Sequence, residues 1–137
     1  MNHQISTRWE SASLFISNLD GQEVSFDNTS KEGIHRGVSP KKILLSSLSA
    51  CTGMDVVAIL TNRFKIPFSD FSIDVEGKLT DSSPSFYDRI HIIYQIKTDD
   101  AFRKKVEEAV HLSVEKLCGV HAMLAHAAVI THEIRYL

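Results

Sequence analysis

Ser39-Pro40-Lys41-Lys42-Ile43-Leu44-Leu45-Ser46-Ser47-Leu48-Ser49-Ala50-Cys51-Thr52-Gly53-Met54-Asp55-Val56-Val57 decides how this chain folds. Serine caps free N–H groups at a helix start, and proline is pre-shaped for the first helical position. The helix is expected to run to about Phe64, because Pro67 biases the residue before it away from helical angles. Apolar and small residues lie on nearly every side, which predicts a helix buried all round. One small domain cannot easily surround a helix of that length, so a partner subunit is expected to cover part of it. The apolar run from Ile43 to Leu60 is long enough to suggest a membrane span. Its serines, Thr52, Gly53 and Asp55, with no flanking aromatic belt, favour a buried helix of a non-membrane protein.

Outward from that helix the pattern alternates. Residues 8–17 read as a strand, Asn18-Leu19-Asp20-Gly21 as a turn, and Gln22 to Phe26 as the return strand of a hairpin. The polar stretch Asp27 to Val38 reads as a loop. After the helix, Phe71, Ile73, Val75 and Leu79 alternate with Ser72, Asp74, Glu76 and Lys78, the clearest strand in the chain. Ser82-Ser83-Pro84-Ser85 is a turn, and Ile90, Ile92, Tyr94 and Ile96 form the inward face of the next strand. Asp99 or Asp100 caps a second helix with the apolar stripe Phe102, Val106, Ala109, Val110 and Leu117. Cys118-Gly119 breaks it, His121 to Ala127 forms a short helical piece, and Val129 to Leu137 is a closing strand. The order ββ-α-ββ-α-β makes residues 1–137 a single α+β domain.

The chain has 137 residues, 43% hydrophobic and 23% charged, with net charge -2. These are ordinary globular values, sufficient for a core without disulfide staples. No basic field draws the protein to nucleic acid or anionic lipid. The N-terminus lacks a signal-peptide core, so the expected location is cytoplasmic, where thiols stay reduced.

Two cysteines on two helical segments are either core residues or a redox pair. Free cysteine often only packs. A reactive thiolate needs a helix N-terminus, a cation or a metal beside it. Cys51 lies three turns into its helix, beyond the reach of the dipole, so a cation must come from elsewhere. Cys118 falls beside Gly119, a reasonable place for a resolving thiol that must meet a sulfenic acid. Cys118 and His121, with His126 and His132 beyond, offer metal-binding side chains. They lack the compact set of four that a structural zinc site requires, and no metal is expected. Asp55 follows Cys51 by one helical turn and is either a hydrogen bonder at a subunit interface or a modulator of the thiol. No Ser-His-Asp signature and no Gly-rich phosphate loop is present.

The segment from Ser39-Pro40 through Ala50-Cys51-Thr52 to Asp55-Val56-Val57 and Ile59-Leu60 resembles the central-helix motif of the OsmC/Ohr family. Glu115-Lys116-Leu117-Cys118-Gly119-Val120 with Leu124 resembles that family's second-cysteine motif, and Ile130-Thr131-His132 fits its closing strand. The resemblance covers nearly the whole chain and is closest to the YhfA-like branch. It implies an intertwined homodimer with two long central helices flanked by sheets. It also implies thiol-dependent reduction of organic hydroperoxides. Cys51 would be the peroxidatic thiol and Cys118 the resolving thiol. No bound cofactor is implied, and an external dithiol reductant would reopen the disulfide. Peroxidatic members usually carry a glutamate just after the helix-opening proline, which orients an arginine toward the thiol. Lys41 and Lys42 stand there in this chain. Arg36 and Arg8 are the candidate arginines, and Lys41 or Lys42 is a candidate to stabilise the thiolate directly. The alternative is a non-catalytic stress-associated protein that holds an apolar ligand in a dimer-interface cleft.

Overall fold

The computed structural model describes residues 1–28 and 36–137. The segment 29–35, within the expected loop, lies outside the described residues. The chain divides into two compact units, Met1–Leu44 and Leu45–Leu137.

The first unit is a three-stranded antiparallel meander of β1 (Ser6–Ser11), β2 (Leu14–Leu19) and β3 (Gln22–Phe26). The α+β class holds, but the chain opens with one strand more than the alternation suggested. Residues 8–17 are not one strand. They fold back at Ala12, whose φ of 48° is left-handed, and the Trp9 indole N–H closes the turn on the Ala12 carbonyl at 2.9 Å. Alanine does not favour a left-handed φ, so this bend left no clear mark in the pattern. The Asp20-Gly21 turn forms as expected. Both residues have positive φ, Leu19 pairs with Gln22, and the Gly21 amide donates to the Asn18 side chain at 2.8 Å.

Helix α1 spans Pro40–Ala58, and the Ser39 hydroxyl accepts from the Lys42 amide at 3.5 Å. A π turn over Ile59–Arg63 extends it, and the Phe64 amide closes that turn on the Ile59 carbonyl at 2.9 Å. By length and composition alone this helical run could cross a bilayer.

The second unit is built on β4 (Ser69–Leu79), β5 (Tyr87–Lys97) and β6 (Val129–Tyr136), with β4 antiparallel and β6 parallel to β5. The β5-to-β6 crossover carries α2 (Arg103–Leu112), a second π turn (Ser113–Leu117) and α3 (Gly119–Leu124). Ile90, Ile92, Tyr94 and Ile96 all face the core, as the alternation predicts. They pack with Leu48, Val56, Ile59 and Leu60 from the α1 run and with Val106, Ala109 and Val110 from α2. Two expectations need correction. Leu79 is exposed, because a register shift between Lys78 and Leu79 breaks the alternation. Leu117 is 55% exposed, because the π turn adds a residue and rotates the stripe past it.

Helix α1 is not buried all round by this chain. Leu48, Thr52 and Val56 are sequestered at spacings of four, one face of a helix. Met54 remains 71% exposed, and Val57, nearly one turn on, is exposed with it.

Candidate functional site

Thr52 is the centre from which the site is best described. It is fully buried on α1, and its hydroxyl lies 2.7 Å from the Tyr94 hydroxyl on β5 and 2.7 Å from the Ser113 hydroxyl. Ser113 opens the second π turn and donates to the Asp55 carboxylate at 2.8 Å. Tyr94 and Ser113 are also fully buried. An unpaired hydroxyl there would carry the cost of desolvation, so this chain of bonds satisfies three groups that otherwise oppose folding. Each hydroxyl owns a single proton. Ser113 gives its own to Asp55, so Thr52 must donate to Ser113 and Tyr94 to Thr52. The direction of the chain is set by the carboxylate. Burial pushes the Tyr94 phenol up to about 12, so it stays protonated at the donor end.

Cys51 precedes Thr52 and is half-buried, and Cys118 follows the π turn and is 4% exposed. Both thiols are free. Cys118 lies within the core cluster, and Cys51 packs against that same cluster. Burial pushes the Cys118 thiol up to about 11, and the Cys51 side chain, through hydrogen bonding and charge, adds to that shift. The Asp55 charge acts in the same direction, while the His121 amide opposes it by donating to the Cys118 sulfur at 3.3 Å. Cys118 thus caps α3 with its sulfur.

Of the residues singled out in the sequence, the structure brings Cys51, Cys118 and Asp55 together. Arg8, Arg36, Lys41 and Lys42 belong to the other unit. Arg8 is exposed and pairs with Glu10 at 3.3 Å and Glu23 at 3.2 Å, and hydrogen bonding to Glu23 leads the upward shift of its pKa. Arg36 pairs with the buried Asp27 at 2.7 Å and reaches the Ser11 hydroxyl at 3.1 Å. Asp27 also accepts from Ser13, and these partners hold its carboxyl below the usual range. Lys41 and Lys42 are exposed in the first turn of α1. Among the described residues, no three His, Cys, Asp or Glu side chains converge as metal ligands would. His132 meets the Tyr94 ring edge-on with centroids 6.1 Å apart.

The sequence reading missed Thr52, Tyr94 and Ser113. Each carried a faint signal: a polar residue at a buried position of an apolar stripe, or the one aromatic with a hydroxyl on an inward strand face.

The family described as OsmC-like protein matches residues 31–133. Protein YhfA of Escherichia coli K12 is 26% identical over 130 residues, covering 94% of each chain. A hypothetical protein of Aquifex aeolicus VF5 superposes with a TM-score of 0.82 at 27% identity, covering 100% of this chain and 98% of that one. The organic hydroperoxide resistance protein OhrB of Bacillus subtilis superposes with a TM-score of 0.65 at 16% identity, covering 98% of both chains.

Proposed function

The chain belongs to the OsmC-like family, and from that premise we propose that it is a thiol-dependent peroxidase for organic hydroperoxides, serving oxidative-stress defence. The observation that carries this reading is that two free thiols from distant parts of the sequence pack at one core cluster. The name of OhrB as an organic hydroperoxide resistance protein agrees with it. In the proposed reaction the Cys51 sulfur attacks the peroxide O–O bond. The alcohol leaves, and Cys51 becomes a sulfenic acid. The Cys118 sulfur then displaces hydroxide from it, which departs as water with the Cys118 proton, and a Cys51–Cys118 disulfide remains. A dithiol reductant takes the place of that bond and returns both thiols. A cytoplasmic location suits this cycle, because the reductant pool there keeps thiols reduced. No bound cofactor enters it.

The assignment of Cys51 as nucleophile rests on exposure. It is the half-buried thiol, whereas Cys118 is buried and its pKa is raised to about 11. A thiolate at Cys51 needs a cation beside it, and Arg36, Arg8, Lys41 and Lys42 are the candidates, from the same chain or its mate. Arg36 has the oriented geometry such a role needs, because Asp27 fixes its guanidinium.

The proposed active form is a homodimer. Supporting it is the apolar face left open on α1, where Met54 and Val57 with Phe71 and Ile73 line a cavity of about 690 Å³. The first unit points the same way. Trp9, Phe15 and Leu19 are exposed there, and among the described residues of that unit no hydrophobic side chain is fully buried. The same cavity favours a second reading, in which it holds an apolar ligand and the thiols only pack.

Hydroperoxide consumption with a dithiol reductant tests the first reading. The unsubstituted protein is expected to turn over, and Cys51→Ser to lose at least a hundredfold of that rate. No turnover by the unsubstituted protein, or full turnover by Cys51→Ser, would sink it. Mass spectrometry after mild peroxide separates the two readings: an intramolecular disulfide marks the enzyme, and two unreacted thiols mark the ligand-binding protein.

A further inference from the structure

The segment that delivers Cys118 has an unusual backbone. The Cys118 amide bonds to the Ser113 carbonyl at 2.8 Å, five residues back, whereas an α turn would pair it with Val114. Burial reports the same register. Ser113 is fully buried and Leu117, four residues on, is 55% exposed, while Cys118, five residues on, is 4% exposed. With α spacing, Leu117 would follow Ser113 into the core and Cys118 would turn about 100° away from it. The wide turn is therefore what turns the second sulfur into the core cluster against which Cys51 packs.

A π turn has poorer backbone geometry than the α turn it replaces, and such turns cluster at functional sites. Something must hold this one open. Ser113 is the residue on which it hinges, because its carbonyl accepts the Cys118 amide. Its hydroxyl meanwhile bonds Thr52 and Asp55 on α1, the helix that carries Cys51. One residue therefore fastens the turn bearing Cys118 to the helix bearing Cys51. The fastening is directional, since the carboxylate of Asp55 orients every hydroxyl proton in the chain, and it is sheltered, since Ser113, Thr52 and Tyr94 are all fully buried.

We propose that Ser113 and Thr52, anchored by Asp55, are positioning residues that hold the π turn open and so keep the Cys118 sulfur in reach of Cys51. This deepens the thiol-pair reading of the site and rests on it. Without the hydroxyl clamp the turn relaxes toward α spacing, the two sulfurs separate, and their disulfide becomes harder to close. None of these three residues touches the peroxide in this scheme.

Equilibration of the full chain in glutathione redox buffers tests the proposal without any peroxide. Two protein thiols and one glutathione disulfide give the Cys51–Cys118 disulfide and two glutathione thiols, so hydrogens and electrons balance. The fraction oxidised is read by mass spectrometry. Ser113→Ala and Thr52→Val are each expected to disfavour the protein disulfide at least tenfold, a potential shift of about 30 mV. Thr52→Ser restores the hydroxyl and is expected to stay within twofold of the unsubstituted protein. Asp55→Ala is expected to shift the equilibrium in the same direction. Circular dichroism and thermal unfolding of each variant confirm that a folded protein is compared. The proposal is overturned if folded Ser113→Ala and Thr52→Val both stay within twofold of the unsubstituted protein. It is also overturned if Thr52→Ser loses as much as Thr52→Val, or if the unsubstituted protein forms no such disulfide. Should that disulfide form with the expected variant pattern while no hydroperoxide is consumed, the peroxidase reading fails and the positioning role stands.

Discussion

At the scale of single residues, the two thiols have been given different chemical characters by their surroundings. Cys118 is 4% exposed, and its pKa stands at about 11 against an ordinary 9.0. That difference links its ionisation to stability. An unfolded thiol ionises first as the solution becomes alkaline, so the contribution is complete below pH 9 and is lost as pH rises through 11. Two units correspond to about 2–3 kcal/mol. Urea unfolding under reducing conditions is expected to show the stability advantage of the unsubstituted protein over Cys118→Ala shrinking by about 2 kcal/mol between pH 8 and pH 11. A constant difference across that range would contradict the burial argument. The sequence offered both cysteines either as core residues or as a redox pair, and did not show their unequal burial. The expected mid-helix placement of Cys51 holds, within α1 and well past its first turn. The sequence could not show that the Cys118 sulfur caps the next helix, since that bond depends on the backbone angle at Cys118 itself.

At the scale of elements, legibility followed periodicity. Strands β4 and β5 were readable because their side chains alternate in a period of two, and α1 because a Ser-Pro start and a Pro67 stop bracket it. What escaped was everything that breaks a period. The two π turns each insert a residue without leaving a mark in composition, and the bend at Ala12 puts a left-handed φ on a residue that no turn rule favours there. Gly77 is a further case. It reads as a weak strand position, yet a Cβ there would lie 2.7 Å from Cδ1 of Tyr87 and 3.0 Å from Cδ1 of Leu45. Glycine at this point lets the Tyr87 ring cross β4 and the Leu45 side chain of α1 settle against it. Gly77→Ala is expected to displace that ring and destabilise the fold by about 1–2 kcal/mol. A denaturant midpoint unchanged from that of the unsubstituted protein would show that the ring yields freely.

At the scale of the whole molecule, the open side of α1 is the largest discrepancy between expectation and chain. The sequence demanded a helix covered all round, and this chain covers one face of it. If a second copy supplies the rest, a charge placed there must separate the copies. Sedimentation at micromolar concentration is expected to give twice the chain mass for the unsubstituted protein and a single chain mass for Met54→Glu. A single-chain mass for the unsubstituted protein would remove the dimer from the proposal. The parallel pairing of β6 with β5 has a different consequence, one of timing. Strand β6 is made after β5, and until it arrives one edge of β5 is bare, with core residues Ile92, Tyr94 and Ile96 along that strand. The segment that must cross over to complete the sheet is the one carrying Ser113 and Cys118. A chain still emerging from the ribosome therefore holds Cys51 without its companion. In the proposed cycle, a chain in which Cys118 has yet to be made would meet oxidants with Cys51 as a lone thiol, with no resolving partner to protect it from over-oxidation.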